Sequence, residues 1–144
     1  MSIKFVKLKE NAVMPFKSTK YSAGYDLSAA IDNTVFIAPH TTVKIGTGLA
    51  IQPPEGYFGA IFARSGLATK EGLRPANCVG VADYDYRGEY IVAFYNDSDT
   101  TRIVEPGQRI AQLVFLPYFD GEFEEVDSLS DTERSDGGFG HTGR

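Results

Sequence analysis

The segment VGVADYDYRGEY, residues 79–90, brings two carboxylates and two tyrosines to one bend between apolar runs. A turn that only has to be tight uses a pair such as Asn-Gly. This one presents Asp83, Asp85, Tyr86 and Arg87 instead. An aspartate at the end of an apolar strand can orient or deprotonate a water, so Asp83 is a candidate base. It reads equally well as a turn-capping carboxylate, and Tyr86 as an aromatic packed over the bend. The two apolar runs are expected to form a hairpin around this turn.

Four other stretches carry chemistry-bearing residues. ARSGLATK (63–70) puts Arg64, Ser65 and Gly66 at the expected start of a short helix. Free amides there bind anions, and an arginine adds a forked donor pair; the alternative is a capped surface helix with a solvated arginine. AGYDLSAA (23–30) places Asp26 among small residues, either near a ligand or held by backbone amides as a strand begins. In GQRIAQLVF (107–115) Gln112 interrupts an apolar run. A buried amide must be hydrogen-bonded, so it either ties two strands together, the reading favoured here, or reaches a ligand. The chain ends in RSDGGFGHTGR, residues 134–144, which holds Arg134, Phe139, His141 and Thr142 among glycines. Consecutive amides in such a segment can fold around phosphates and the ring can stack on a flat partner, although the composition is also that of a frayed end.

The elements that must position these residues are strands. Alternation or β-branched enrichment marks 3–8, 34–38, 43–51, 57–63, 79–83, 89–96, 100–104 and 109–119. Turn signals separate them, among them Pro-Pro-Glu-Gly (53–56), Asn-Asp-Ser-Asp (96–99) and Glu-Pro-Gly (105–107). Many short strands with almost no helical periodicity predict an all-β domain, a sandwich or distorted barrel. One short helix is expected in SGLATKEG, with Ser65 as its cap and Gly72 ending it. The last strand is expected to run out near Val126, dividing the chain into a β domain (1–126) and a mobile arm (127–144).

The 144 residues are one domain by length, with 42% hydrophobic and 23% charged residues. A net charge of −5 argues against broad electrostatic binding to nucleic acid or an anionic membrane. Phosphate chemistry must then come from local arginines, backbone amides or a metal ion. Cys78 is the single cysteine, which excludes an intrachain disulfide, and is expected to be a small buried thiol. His40 and His141 lie far apart and share no metal-ligand spacing with Cys78. No apolar stretch has signal or membrane-spanning length, so an intracellular, cytoplasmic location is expected.

AGYDL at 23–27, RSGLA at 64–68, NCVGVADYDYRGE at 77–89, GQRIAQLVF at 107–115 and RSDGGFGHTG at 134–143, in this order, resemble the five motifs of the homotrimeric dUTPase family. The resemblance implies a jelly-roll-like fold, a trimer with sites at subunit boundaries, and Mg²⁺-assisted cleavage of dUTP to dUMP and pyrophosphate. It implies that Asp83 positions and activates the attacking water. It assigns the uracil edge to Asn77, Gly80 and the backbone around Val81 and Ala82, and the underside of the deoxyribose to Tyr86. Arg64, Ser65, Gly66 and Gln112 match phosphate contacts. Asp26 matches an acidic residue near the metal, reached through water, with the triphosphate holding the ion. Arg134, Phe139, His141 and Thr142 fall in a tail that closes over base and phosphates.

Fixed backbone groups reading uracil reject cytosine because a reversed donor–acceptor pattern leaves buried groups unpaired, a mismatch worth roughly 10⁴–10⁵ in selectivity. This sequence departs from the family pattern at Ser135, where glycine is usual, at His141, where serine is usual, and at Ala60, Ala63 and Ala82. The related deoxycytidine triphosphate deaminases would show a second serine after Arg-Ser and a glutamate base. Here Gly66 follows Ser65 and Asp83 is intact. A binding module that has lost catalysis is the rival of another class, and the intact motif set argues against it.

Overall fold

The alternation is realised as eleven short strands in a computed structural model that describes residues 2–138. They are β1 (Lys4–Lys7), β2 (Tyr25–Ser28), β3 (Val35–Ile37), β4 (Thr42–Gly46), β5 (Leu49–Gln52), β6 (Tyr57–Ala63), β7 (Leu73–Pro75), β8 (Gly80–Ala82), β9 (Ile91–Asn96), β10 (Arg102–Val104) and β11 (Arg109–Pro117). One four-stranded sheet runs β2-β11-β6-β8 and a three-stranded sheet runs β4-β9-β7; β1 pairs with β5 and β3 with β10. Every pairing is antiparallel. The core lies between these sheets and is built from Leu27, Ile37, Ile45, Leu49, Leu73, Tyr90, Val92, Phe94, Val104, Ile110 and Leu113. The expected jelly-roll-like all-β fold is what the chain adopts. Among the described residues no helix is long and apolar enough to cross a membrane.

Strand β9 shows how the pattern becomes a fold. Val92, Phe94 and Asn96 point inward and are buried while the residues between them are not, the period-2 alternation of a half-buried strand. Asn96 ends the inward row as a polar group at zero exposure. Its amide donates to Ile37 O at 2.9 Å and Thr100 O at 2.8 Å, and its carbonyl oxygen accepts from Ser98 N at 3.0 Å and Ser98 Oγ at 2.7 Å. Asn96→Ala removes the amide from the buried Ile37 O and from Ser98 N, whereas Thr100 O keeps Ser98 Oγ, and a stranded buried group costs about 1–3 kcal/mol. We expect that substitution to destabilise the protein by about 2–4 kcal/mol in urea unfolding; a change below the error of the method would show the loop to be rigid without it.

Four expectations need correction. Ser65 does not cap the short helix. Ala68 N already donates to Arg64 O at 3.0 Å and Thr69 Oγ1 to Ser65 O at 2.7 Å, so winding begins a residue earlier. The turn Leu67–Glu71 is π-wound and has no side-chain cap, although Gly72 ends it in the left-handed conformation as expected. Cys78 is exposed, not buried. It stands at φ 63 in the corner between β7 and β8, where Val79 N donates to Asn77 O at 2.7 Å, and this tight turn directs the side chain outward.

Strand β11 stops at Pro117, short of Val126. Its partner β6 begins at Tyr57, opposite Pro117, so the chain beyond has no ladder to continue, and Phe119 and Phe123 stand in full solvent. Finally, β8 and β9 do not form a hairpin. Strand β8 pairs with β6 in the four-stranded sheet, whereas β9 lies between β4 and β7 in the other. The 83–90 connection is therefore a corner that crosses from one sheet to the next.

Candidate active site

That crossing makes a recess. The end of β8, the start of β9 and the corner before β8 diverge there, leaving a cavity of about 180 Å³ lined by Asn77, Gly80, Val81, Ala82, Tyr86 and Tyr90 among others. The residues expected at the uracil edge and under the sugar thus meet around one space. Tyr86 folds back across the corner, its hydroxyl donating to Glu89 O at 2.9 Å. A Cβ on Gly88 would lie 2.5 Å from that hydroxyl, so only glycine lets the ring lie there.

The inner end of the corner is fastened by residues that sequence reasoning missed. Thr47, fully buried between Gly46 and Gly48, donates from Oγ1 to Tyr90 O at 2.6 Å, and Gly48 N donates to Glu89 Oε1 at 2.8 Å. Tyr90 N donates to Leu49 O at 2.8 Å. The β4–β5 turn thereby holds the base of the corner from both sides. The Gly46-Thr47-Gly48 triplet in an alternating run was the available signal, a small hydroxyl bracketed by glycines.

Asp83 follows β8 directly, and its carbonyl accepts from Tyr86 N at 3.1 Å, which closes the turn. Its backbone shapes the corner while its side chain is exposed and enters no ion pair among the described residues. It lines a second recess with Phe58, Val81, Tyr84, Asp85 and Tyr118. Val81 belongs to both cavities, so the candidate base stands at the lip of the space that would hold the base and sugar.

The second cluster lies elsewhere on the chain. Asp26, on β2, is only 11% exposed in its side chain; it accepts from Arg64 Nε on one oxygen and Arg109 Nη1 on the other, both at 3.1 Å. Two charge-assisted bonds hold this carboxylate in place. Arg109 was not anticipated, since 83 residues separate it from Asp26. Gln112, opposite Asp26 in the β2–β11 register, donates to Ala63 O at 2.9 Å. It ties β11 to β6, as favoured, and also lines an open cleft with Ser18, Ser22, Gly24, Asp26 and Cys78. Ser65 and Gly66 are exposed on the adjoining helical turn.

Arg134 sits in a turn of its own, Nε donating to Gly137 O at 2.7 Å. Ser135 there has φ 47, the left-handed region that favours glycine. Phe139, His141 and Thr142 lie outside the described residues. One chain therefore gathers the expected residues into two separate groups and an arm, not into a single cavity.

Among the described residues Tyr90 carries the one strongly displaced titration. Burial pushes its phenol up to about 12, with the neighbouring Tyr86 adding to the rise and Arg87 opposing it. In the unfolded chain a phenol ionises near pH 10. Between these values the folded state keeps a proton that the unfolded state has lost. Stability from this group is whole below about pH 10 and falls as pH rises toward about 12. Tyr90→Phe is expected to lose less stability than the parent between about pH 9 and about pH 11 in urea titrations; equal losses would place the alkaline transition in another group.

Comparison with known proteins is consistent with these motifs. The dUTPase family model matches residues 10–143. The deoxyuridine 5'-triphosphate nucleotidohydrolase of Desulfitobacterium hafniense is 49% identical over 99% of this chain and 95% of its own. That of a Hydrogenobaculum species is 46% identical over 99% of each. Among solved structures, the Staphylococcus bacteriophage 80alpha dUTPase with dUPNHPP superposes with a TM-score of 0.91 at 30% identity, covering 99% of both chains. The dUTPase from phage phi11 of S. aureus gives 0.83 at 27% identity, over 92% of this chain and all of that one. By motif order, fold and sequence, this chain belongs to the dUTPase family.

Proposed function

We propose that the protein is a dUTP diphosphatase, hydrolysing dUTP to dUMP and pyrophosphate through attack on the α-phosphate by a water that Asp83 orients and deprotonates. The observation that carries this reading is the recess at the sheet crossing, with Asn77, Gly80, Val81, Ala82 and Tyr86 around it and Asp83 at its lip. In this reading the edge of β8 supplies fixed backbone groups to the uracil. Tyr86 presses on the deoxyribose and leaves no space for a 2′-hydroxyl. The product would supply thymidylate synthesis while the reaction keeps uracil out of DNA.

The phosphates belong to Arg64, Ser65, Gly66 and Gln112. Arg64 is already braced by Asp26 through Nε and by Arg109 O through Nη1, so its guanidinium would meet a ligand from a fixed mount. Asp26 itself does not fit a direct metal ligand, since both its oxygens are engaged by guanidinium groups. Among the described residues no three His, Cys, Asp or Glu side chains are grouped to hold a metal. Mg²⁺ is therefore assigned to the substrate, arriving on the triphosphate, and Asp26 acts by holding Arg64 and Arg109.

The assembly proposed with this activity is a homotrimer; the separation of the recess from the Asp26–Gln112 cluster on one chain supports a site shared between copies. The apolar residues stranded beyond β11, Phe119, Phe123 and Leu129, suit cover by a neighbouring subunit. Neither nucleic acid nor a membrane is an expected partner.

The test is pyrophosphate release from dUTP, with UTP, dTTP and dCTP in parallel, each with and without Mg²⁺, and sedimentation to read subunit number. Release from dUTP alone and with metal is expected, from a species of three chain masses. Release from UTP or dTTP at comparable rates would overturn the roles given to Tyr86 and the β8 edge. A folded protein inactive on all four would return the weight to a binding module.

A further inference from the structure

We infer that Tyr90 is a positioning residue for sugar selectivity: its ring is the floor on which Tyr86 rests, so it fixes the gap that a 2′-hydroxyl would need. The inference builds on the activity proposed above. Tyr90 is 1% exposed, and its backbone is bound on both sides by Leu49 and Thr47. With the main chain so fixed, its side chain has one place to go, the space beneath β6 and β8.

The fit there depends on two small residues. A Cβ on Gly59 would meet the Tyr90 hydroxyl at 3.1 Å, Leu113 Cδ1 at 3.0 Å and Ala82 Cβ at 3.5 Å. The phenol therefore occupies volume that a side chain at residue 59, or a larger one at residue 82, would claim. Ala82 stands where the family pattern has a larger aliphatic residue, and Tyr90 fills the space so left. The ring also neighbours Tyr86, with centroids 6.1 Å apart and planes inclined at 35°. The same ring also lines the recess.

Tyr86 is 44% exposed and has a single side-chain hydrogen bond, to Glu89 O. Its resting height is thus set by what lies underneath. Tyr90 is a rigid slab with two rotatable side-chain bonds; a flexible or shorter residue would let Tyr86 sink. The hydroxyl is not what this requires: it is the one buried side-chain polar atom without a hydrogen-bond partner among the described residues.

The experiment compares kcat/KM for dUTP and UTP in the parent, Tyr90→Leu, Tyr90→Met and Tyr90→Phe. Met is included because it fills gaps without a rigid face and folds where Leu leaves a void. In Leu and Met the preference for dUTP over UTP should fall about 10-fold, through a lower KM for UTP, with kcat for dUTP within a few-fold of the parent. Phe keeps the ring, so it should keep the preference, and it loses no stability because it removes an unpartnered hydroxyl. Phe94→Leu, an equally buried aromatic on β9 away from the recess, should lower stability and leave the preference intact.

An unchanged preference in both Leu and Met overturns the inference. So does an equal loss in Phe, which would assign the effect to the hydroxyl, or an equal loss in Phe94→Leu, which would assign it to general softening. A parent enzyme that does not prefer dUTP to UTP overturns the proposed activity instead, and this inference with it.

Discussion

Replacing Asp83 by Asn is expected to slow turnover of dUTP by about 10²–10⁴-fold while the protein folds and binds substrate. The fold should survive because the corner is closed by Asp83's carbonyl, which accepts from Tyr86 N, not by its side chain. Asn has the same size and branching, so the recess keeps its shape. What disappears is the capacity to take a proton: an amide cannot act as a base. Losing a negative charge beside a polyanionic substrate also removes a repulsion. KM should therefore stay level or fall while kcat collapses, the pattern of an interaction made only in the transition state. Asp85→Asn removes the same charge two residues on, in the same outer recess, and is the control expected to change kcat little. Equal losses in both variants would mean that the corner acts through its net charge, and Asp83 would lose its role as the base.

Much of the fold was legible because alternation is local. The strand runs around residues 3–8, 57–63, 89–96 and 109–119 can be read from side chains two apart, although the last of them is a strand only as far as Pro117. Strand β7 escaped because Leu73-Arg74-Pro75 is three residues long and ends on a residue with no N–H; it exists because Arg74 and its neighbours have β9 to pair with. The sheet crossing at 83–90 escaped for a deeper reason. Two apolar runs joined by a polar turn give one signal whether the strands pair with each other or with different sheets, and only the partners β6 and β4 decide.

The site divides in the same way. Residues of the 77–90 stretch are near in sequence and meet in the fold, so the recess was readable from one motif. The mounting of Arg64 on Asp26 was not, because its members are 38 residues apart and charge in a sequence carries no address. Cys78 was misread since a cysteine in an apolar context is usually buried, and nothing in NCVG announces a left-handed corner. At Ser135 the order was reversed: the departure from glycine was visible in the sequence, and its backbone cost of about 1–3 kcal/mol follows only from the positive φ.

The other large effect concerns the arm. Removing residues 134–144 is expected to leave a folded protein with kcat/KM for dUTP lower by at least about 10²-fold. Folding should not depend on this segment, because Leu113 is the last residue of the buried hydrophobic core among the described residues. Arg134 bonds within its own turn, to Gly137 O, and so is not fastened to the domain. Its charge would be delivered to the phosphates on closure, as an external arginine is, and such a group is worth about 10³–10⁵ in turnover where it stabilises a transferring phosphoryl group. Phe139, which the family resemblance puts in a tail that closes over base and phosphates, would help expel water other than the one assigned to Asp83.

Two variants separate these contributions. Arg134→Ala should reproduce most of the loss in kcat, whereas Phe139→Ala should act mainly on KM. If the truncated protein turns over dUTP as fast as the full chain, the arm is no lid. Asp83 and the recess would then have to exclude solvent by themselves, which an exposed carboxylate at the lip of an open cavity is poorly placed to do.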